Sequence, residues 1–210
     1  MIDFPKSTVV RRRLPKEAFY QHLSLTATLK ARFVSDVEQI QVENSLTQRN
    51  LNLENKSDIK EILLLSLHLK KQDFDGKIVE AIARQNPHKL IFLLMYGECC
   101  QLAVYHRKLY HTAWMKENDL SLVLQGNTLE EIWDNLVRQI AISSEEVLQR
   151  QALPIDEQLK RQDEINRLKK LIQKTEAAAW KEQQPKKRFE RYTRLQNYKK
   201  QLEEITHGKA

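Results

Sequence analysis

Residues that interrupt regular structure are scarce in this sequence. Its 210 residues include four Gly and five Pro, so few positions break a helix or supply the backbone freedom of a tight turn. This scarcity predicts long helices. Cysteine is also scarce, since Cys99 and Cys100 are the two in the chain, and adjacent cysteines cannot join distant segments. The sequence therefore argues against a disulfide-stapled fold, and we expect a reducing, cytoplasmic environment.

Long apolar segments are absent as well. Runs such as Ile62–Leu67 are far shorter than the roughly 20 residues that cross a bilayer. Residues 1–20 contain no apolar core of signal-peptide length, so we expect no membrane partner. The shares of apolar residues, 41%, and of charged residues, 30%, are instead close to those of globular chains.

Positive charge is concentrated at one end of the chain. The sequence has 35 Lys and Arg against 28 Asp and Glu, a formal net charge of +7. Residues 151–210 contain fifteen of these bases and nine of the acids, so most of the excess lies there. A local positive field of this kind attracts phosphate backbones or acidic proteins.

Apolar patterns across residues 1–150 alternate between helical and extended periods. Spacings of three and four over 24–40 predict a helix. EILLLSLHL and KLIFLLMY predict buried strands, QLAVYHRKLYHTAWM predicts a β-hairpin and DLSLVLQG a short strand. Thr128 and Glu131 have the spacing of a helix capping box. We expect an α+β domain over 1–150, with an α/β-like mixed sheet of four to six strands flanked by helices.

The pattern changes after Pro154. A three-four spacing of apolar residues predicts a helix with a short coiled-coil seam, formed by Ile165, Leu168, Ile172, Thr175 and Ala179. Pro185 interrupts this helix, and a second one follows with a predicted apolar face of Phe189, Tyr192, Leu195, Leu202 and Ile205. Two helices around one break predict an antiparallel helical hairpin over 151–210.

The second of these helices is strongly basic. Between residues 184 and 200 a single acid, Glu190, accompanies seven cations, which are Lys186, Lys187, Arg188, Arg191, Arg194, Lys199 and Lys200. Arg11, Arg12 and Arg13 form a smaller basic cluster near the start. Such blocks commonly contact polyanions. We predict nucleic-acid binding through phosphates, without base readout, at both clusters; the alternative is the solvated face of a coiled coil.

Aromatic residues are interleaved with these cations. Phe189, Tyr192 and Tyr198 follow one another at multiples of three. They can pack in the interface between the two helices, or they can stack on unpaired bases. The helical spacing and the adjacent partner helix favour packing, so we expect these rings to be mostly interhelical.

Stretches along most of the chain resemble one bacterial family of unknown function. They are PKSTVV and LPKEAFY near the start, YHTAWM and LVLQGNTLEEIWDNLVRQIA in the middle, and KEQQPKKRFE in the tail. Genes of this family are often found beside helicases and DNA methyltransferases in phage-defence and restriction-type loci. The resemblance implies a DNA-centred role and, as partner, a helicase or another protein of the defence complex. It implies no particular activity.

Motifs of common enzyme chemistry are missing from the sequence. GKIVEA at 76–81 lacks the upstream glycine and the following hydroxyl of a phosphate-binding loop, and no CxxC or HExxH pattern offers a zinc site. Six scattered histidines include His106 and His111, which we expect to face each other across the hairpin as a structural pair. We therefore expect no metal and no cofactor.

One enzymatic alternative stays open. The predicted order of helix, strands, helix and strand resembles restriction-endonuclease-like nucleases, in which an acid on one strand and an acid-x-Lys on the next hold Mg²⁺ and activate water. Lys70 is suitably placed, but His68 stands where the acid is expected. The nearby acids are Asp58, Glu61 and Glu38, the last on the first predicted helix. A Mg²⁺-dependent nuclease would therefore have an incomplete site.

The patterns together favour a non-catalytic accessory subunit of a bacterial antiphage defence system. Its hairpin would contact the DNA backbone or a partner, and its α+β domain would dock on the rest of the machinery. The alternatives are the Mg²⁺-dependent nuclease and a coiled-coil protein-interaction module, which could form a homodimer. Patterns in the sequence do not distinguish DNA from RNA, or single from double strands.

Overall fold

The computed structural model describes residue 2 and residues 4–17, 23–53, 57–142 and 153–207. The chain divides into two compact units, Met1–Ala141 and Ile142–Ala210. The domain boundary predicted after residue 150 lies outside the described residues. No helix in the described ranges combines the length and apolar character needed to cross a membrane.

The first unit contains strands and helices in mixed order. They are β1 (Val9–Leu14), α1 (Ala27–Asp36), β2 (Val37–Leu46), β3 (Ile62–Leu69), α2 (Lys77–Gln85), β4 (Lys89–Tyr96), β5 (Cys99–His106), β6 (Lys108–His111), β7 (Met115–Lys116) and α3 (Leu129–Ala141). The second unit contains two long helices, α4 (Ile155–Lys181) and α5 (Pro185–His207).

The strands form one mixed sheet of seven strands in the order β1-β2-β3-β4-β5-β6. The short β7 pairs with the first residues of β5, and β6 pairs with its last residues. Neighbours are antiparallel except β3 and β4, which α2 connects. The predicted mixed sheet flanked by helices, followed by a helical hairpin, is confirmed; it has more strands than the four to six expected.

The two central strands, β3 and β4, explain the apolar runs of the sequence. They pair in register, with Leu65 opposite Phe92, and most residues of both strands are buried, including four consecutive residues of β3 and five of β4. Phe92 shares a core cluster with Phe33 of α1 and Ile78 of α2. The buried residues of α3 lie outside this cluster. A central strand buried on both faces needs apolar residues at consecutive positions.

Two local predictions are corrected by the structure. The helix expected over 24–40 ends at Asp36, and the residues from Val37 onward form β2. Thr26 caps α1, since its hydroxyl accepts from the Leu29 N–H at 3.3 Å. The stretch 119–126, expected as a strand, is not one: Asp119 ends a 3-10 helix, Glu117–Asp119, and 120–126 have no regular structure, although Leu120 and Leu122 are buried. In the first segment the helical spacing of Val37 and Ile40 is misleading, because a shift in pairing register between Val37 and Gln39 buries both residues in β2.

The capping box at the start of α3 is present. The Glu131 N–H donates to the Thr128 hydroxyl at 3.1 Å, and the Glu131 carboxylate accepts from the Asn127 N–H at 2.7 Å. The hairpin of β5 and β6 is also present, turning at Arg107 with a positive φ of 63°. Within it His106 pairs with Lys108, and His111 with Ala103, so the two histidines do not face each other as expected.

Candidate nucleic-acid interface

Two antiparallel helices, α4 and α5, pack along a short apolar seam in the second unit. Ile165, Leu168 and Ala179 of α4 are buried, as is Leu195 of α5. Ile165, Leu168 and Ala179 are among the seam residues expected from the sequence, whereas the expected Ile172 and Thr175 are only partly buried; Leu195 belongs to the apolar face expected for α5. Leu195 is the one apolar residue of α5 that is fully buried among those described, so α5 keeps most of its surface exposed.

Some of the predicted DNA-binding cations are engaged within the hairpin. The Arg191 guanidinium donates to the Ala178 carbonyl and lies 2.8 Å from the Glu182 carboxylate. Arg191 therefore fastens α5 to the end of α4 beside the turn. Lys199 lies 3.6 Å from Glu176, and both side chains are nearly half exposed. Such an exposed ion pair contributes little to stability.

The remaining cations of α5 are open to solvent. Lys186, Lys187, Arg188 and Arg194 are all exposed, and no acid in the described part of the chain forms an ion pair with them. Lys200 lies 4.0 Å from Glu204, with both side chains more than half exposed. These five cations are therefore available to a ligand.

Large aromatic side chains are exposed at the end of the hairpin where the turn joins α4 to α5. Trp180, in the last turn of α4, is 70% exposed, and Phe189, near the start of α5, is 74% exposed. Tyr192 is 36% exposed. The expectation that Phe189 packs between the helices is wrong. It precedes the buried Leu195 by six residues, which at 3.6 residues per turn places it about 120° around the helix.

The second predicted basic cluster lies on an edge strand of the first unit. Arg11, Arg12 and Arg13 are exposed on β1, which pairs with β2 on one side. Arg11 has a φ of 50°, where the pairing register shifts between Val9 and Arg12. Because of this bulge, the Arg11 side chain points in a different direction from those of its neighbours.

The residues of the nuclease alternative do not come together. Glu61 precedes β3 and lies 3.2 Å from His88, whereas Lys70 follows β3 and donates to the Val34 carbonyl at 3.2 Å. Nine residues of extended chain place their backbones about 30 Å apart. Asp58 is in the loop before Glu61. Glu38 is exposed on β2 and not on the first helix, so its assignment to a helix is corrected.

A cavity of about 710 Å³ that is lined by both polar and apolar side chains lies over β2, β3 and β4 in the first unit. The Glu43 carboxylate, which lines it, accepts from the Ser66 hydroxyl at 2.5 Å and from the Gln41 amide at 3.1 and 3.2 Å. The Gln41 oxygen accepts from Gln39 at 3.3 Å, and His68 also lines the cavity. These contacts hold a carboxylate in a fixed position. Among the described residues, no three His, Cys, Asp or Glu side chains are grouped as metal ligands.

A protein-family model matches most of this chain. The model described as "Domain of unknown function (DUF4391)" matches residues 2–202. The chain belongs to this family. Comparisons with curated proteins and with solved structures give no match. The expectation of an uncharacterised domain family is confirmed; the match says nothing about neighbouring genes.

Sequence reasoning missed two features of this DUF4391 member. The sequence analysis does not single out the exposed Trp180. Trp180 directly follows the seam residue Ala179, so its side chain lies about 100° around the helix from the buried face. The polar row of Gln39, Gln41 and Glu43 begins inside the helix predicted over 24–40 and continues beyond its end, so the sequence analysis does not recognise it as one face of a strand. Its alternation with buried residues in β2 is the signal that could have revealed it.

Proposed function

We propose that this protein binds the DNA backbone through its helical hairpin, without sequence readout and without catalysis, as an accessory component of a bacterial defence system. The observation that carries the proposal is the group of exposed cations on α5 that no acid pairs with in the described chain, namely Lys186, Lys187, Arg188 and Arg194. Phosphate binding by Lys and Arg supplies most sequence-independent affinity for DNA.

The position of the cations on α5 supports a role in binding. Lys186, Lys187 and Arg188 directly follow Pro185, the first residue of the helix, and the first turn contains no acid. The N-terminus of a helix carries a partial positive charge, so cations there are unfavourable for the helix itself. Their presence costs some helix stability, and together with the dipole they concentrate a positive field that attracts phosphates.

A partner protein is a further part of the proposal. The family resemblance noted in the sequence associates such chains with helicases and DNA methyltransferases. The first unit, whose sheet and helices contribute most of the buried core, would dock on such a partner while the hairpin contacts DNA. This part rests on the resemblance alone, and co-purification with a helicase from the same locus tests it directly.

The second candidate is a Mg²⁺-dependent nuclease, which would have to use the Glu43 carboxylate in its cavity. Mg²⁺ requires octahedral coordination by oxygen ligands, usually with one or two carboxylates. Glu43 already accepts three hydrogen bonds from Ser66 and Gln41, and the predicted acids lie elsewhere. The arrangement does not fit the site that such a nuclease needs, so we derive no catalytic step from it.

One experiment separates the two candidates. The full chain is titrated against labelled single- and double-stranded DNA over a series of salt concentrations with Mg²⁺ present, and product lengths are read on a gel. The proposal predicts binding that weakens steeply with salt and DNA that stays intact. Cleavage that Lys70→Ala or Glu43→Gln abolishes would establish the nuclease instead. Absence of binding at low salt would refute backbone contact.

A further inference from the structure

The end of the hairpin combines two kinds of exposed side chain. We call this end the hairpin tip and define it as residues 178–192. It includes the exposed rings Trp180, Phe189 and Tyr192 and the exposed cations Lys181, Lys186, Lys187 and Arg188. Its two acids are Glu182, which pairs with Arg191, and Glu190. The tip is therefore both apolar and strongly positive.

The exposure of Trp180 and Phe189, the two most exposed rings of the tip, has no structural explanation within the hairpin. Phe and Trp are mostly buried in folded proteins, and exposed clusters of them mark interaction sites. The seam is closed without them, because Leu195 and Ala179 are almost fully buried while Phe189 and Trp180 stay more than two-thirds exposed. Helix stability does not require them either, since aromatic residues form helices less readily than Ala, Lys or Gln.

The cations identify the kind of partner that fits these rings. Lys186 and Phe189 are three residues apart, so they lie on the same side of α5. An acidic protein surface would satisfy the cations but gives no reason for three flat rings. Duplex DNA would also satisfy the cations, but its bases are already stacked on each other. An unpaired strand offers phosphates to the cations and open base faces to the rings.

We propose that the hairpin tip is a stacking platform for single-stranded nucleic acid, in which Trp180 and Phe189 contact bases while Lys186, Lys187 and Arg188 contact phosphates. This proposal rests on the proposed function and narrows it to unpaired strands. Tyr192 is the third ring available for stacking. No base is read by hydrogen bonds at this surface, so the platform accepts any sequence that stacks well.

The test uses the full chain with Trp180→Ala and Phe189→Ala, singly and together. Each lost stacking contact should weaken binding to an oligo-dT strand by about 5- to 150-fold, the fold-change that corresponds to the usual strength of base–aromatic stacking. The slope of affinity against salt should stay unchanged, since no phosphate contact is removed. Affinity for blunt duplex DNA of the same length should change less than about twofold.

Several controls distinguish stacking from other roles of the rings. Phe189→Trp should retain binding, and Phe189→Leu, which keeps apolar area without a ring, should not. Tyr96→Ala removes an exposed aromatic of the first unit and should leave binding unchanged. Circular dichroism should show the same helix content in all variants. The same titration with oligo-U tells whether RNA shares the site.

Three outcomes would overturn the proposal. Unchanged oligo-dT affinity in the double variant, with binding still lost on removal of the cations, would refute stacking and leave backbone binding intact. No binding of any nucleic acid at low salt would refute both. Ring-dependent binding to vesicles of phosphatidylserine and phosphatidylcholine, without ring-dependent binding to oligo-dT, would assign the tip to a lipid surface.

Discussion

Removal of the exposed cations of α5 should weaken DNA binding and stabilise the hairpin at the same time. The variant replaces Lys186, Lys187, Arg188 and Arg194 by Gln. Gln forms helices about as readily as Lys and Arg, so the helix should be retained. The first three substitutions also remove positive charge from the positive end of the helix dipole, which should stabilise α5 by about 0.3–1 kcal/mol each.

The expected loss of binding follows from counterion release. Each phosphate contact contributes about 0.9 to the slope of log affinity against log salt on duplex DNA, and about 0.7 on a single strand. If all four cations make contacts, the slope should fall by about 3.6 or 2.8. For a fourfold rise in salt, the unmodified chain should therefore lose about 150-fold more affinity for duplex DNA than the variant does, or about 50-fold more affinity for a single strand. Fluorescence anisotropy at several salt concentrations measures it.

A charge-matched control separates local contact from overall charge. Arg49, Lys60, Lys77 and Lys116 are exposed cations of the first unit, and their replacement by Gln changes the net charge by the same amount. This control should leave the salt slope nearly unchanged. Equal slopes for both variants, or a lower thermal stability of the α5 variant, would refute the reasoning that these cations are placed for binding at a cost to the helix.

Three further predictions concern stability. Arg191→Gln removes the contacts with Ala178 and Glu182 and should lower the unfolding free energy of the hairpin by about 1–2 kcal/mol, measured by urea titration; no loss would contradict its fastening role. Phe92→Ala, at a fully buried position, should destabilise the first unit by about 3–5 kcal/mol, and a loss below about 1 kcal/mol would contradict the core assignment. Asp36→Asn should lower the unfolding free energy by about 1–3 kcal/mol and make unfolding less sensitive to acid. Burial alone would raise the pKa of Asp36, but its bonds with Ser35 and Lys71 outweigh burial and lower the pKa from the ordinary 3.8. The ionised Asp36 therefore stabilises the fold above pH 3.8, and this contribution is lost as the pH falls through the lowered pKa.

The centre of the first unit could be predicted from the sequence because its pattern allows one interpretation. The runs that became β3 and β4 are too apolar for any exposed element, and the helix signals around Thr128 act through local hydrogen bonds. The boundary at Asp36 could not be predicted, because Val37 and Ile40 fit the helical spacing and, being three apart, not the alternation of a regular strand; both are buried in β2 because the pairing register shifts between Val37 and Gln39. Pairing with β3 decides between helix and strand, and such pairing depends on residues far away in sequence.

The surface of the hairpin shows a second limit. Phe189, Tyr192 and Leu195 are spaced by threes, and each step of three falls 60° short of a full turn. A run of threes therefore drifts around the helix, and only one end of it faces the partner. Which end faces inward is set by the contacts of Leu195 and Arg191 with α4. The basic character of this helix was predictable, whereas the exposure of its aromatic rings required the structure.

Lysine footprinting can show whether DNA contacts the hairpin. The full chain is acetylated with and without DNA at low salt, and the modified peptides are quantified by mass spectrometry. Lys186 and Lys187 should be protected by DNA at low salt and modified again at high salt, whereas Lys60 and Lys77 should not be protected. Protection confined to lysines of the first unit, or no protection despite measured binding, would show that DNA does not bind at the hairpin.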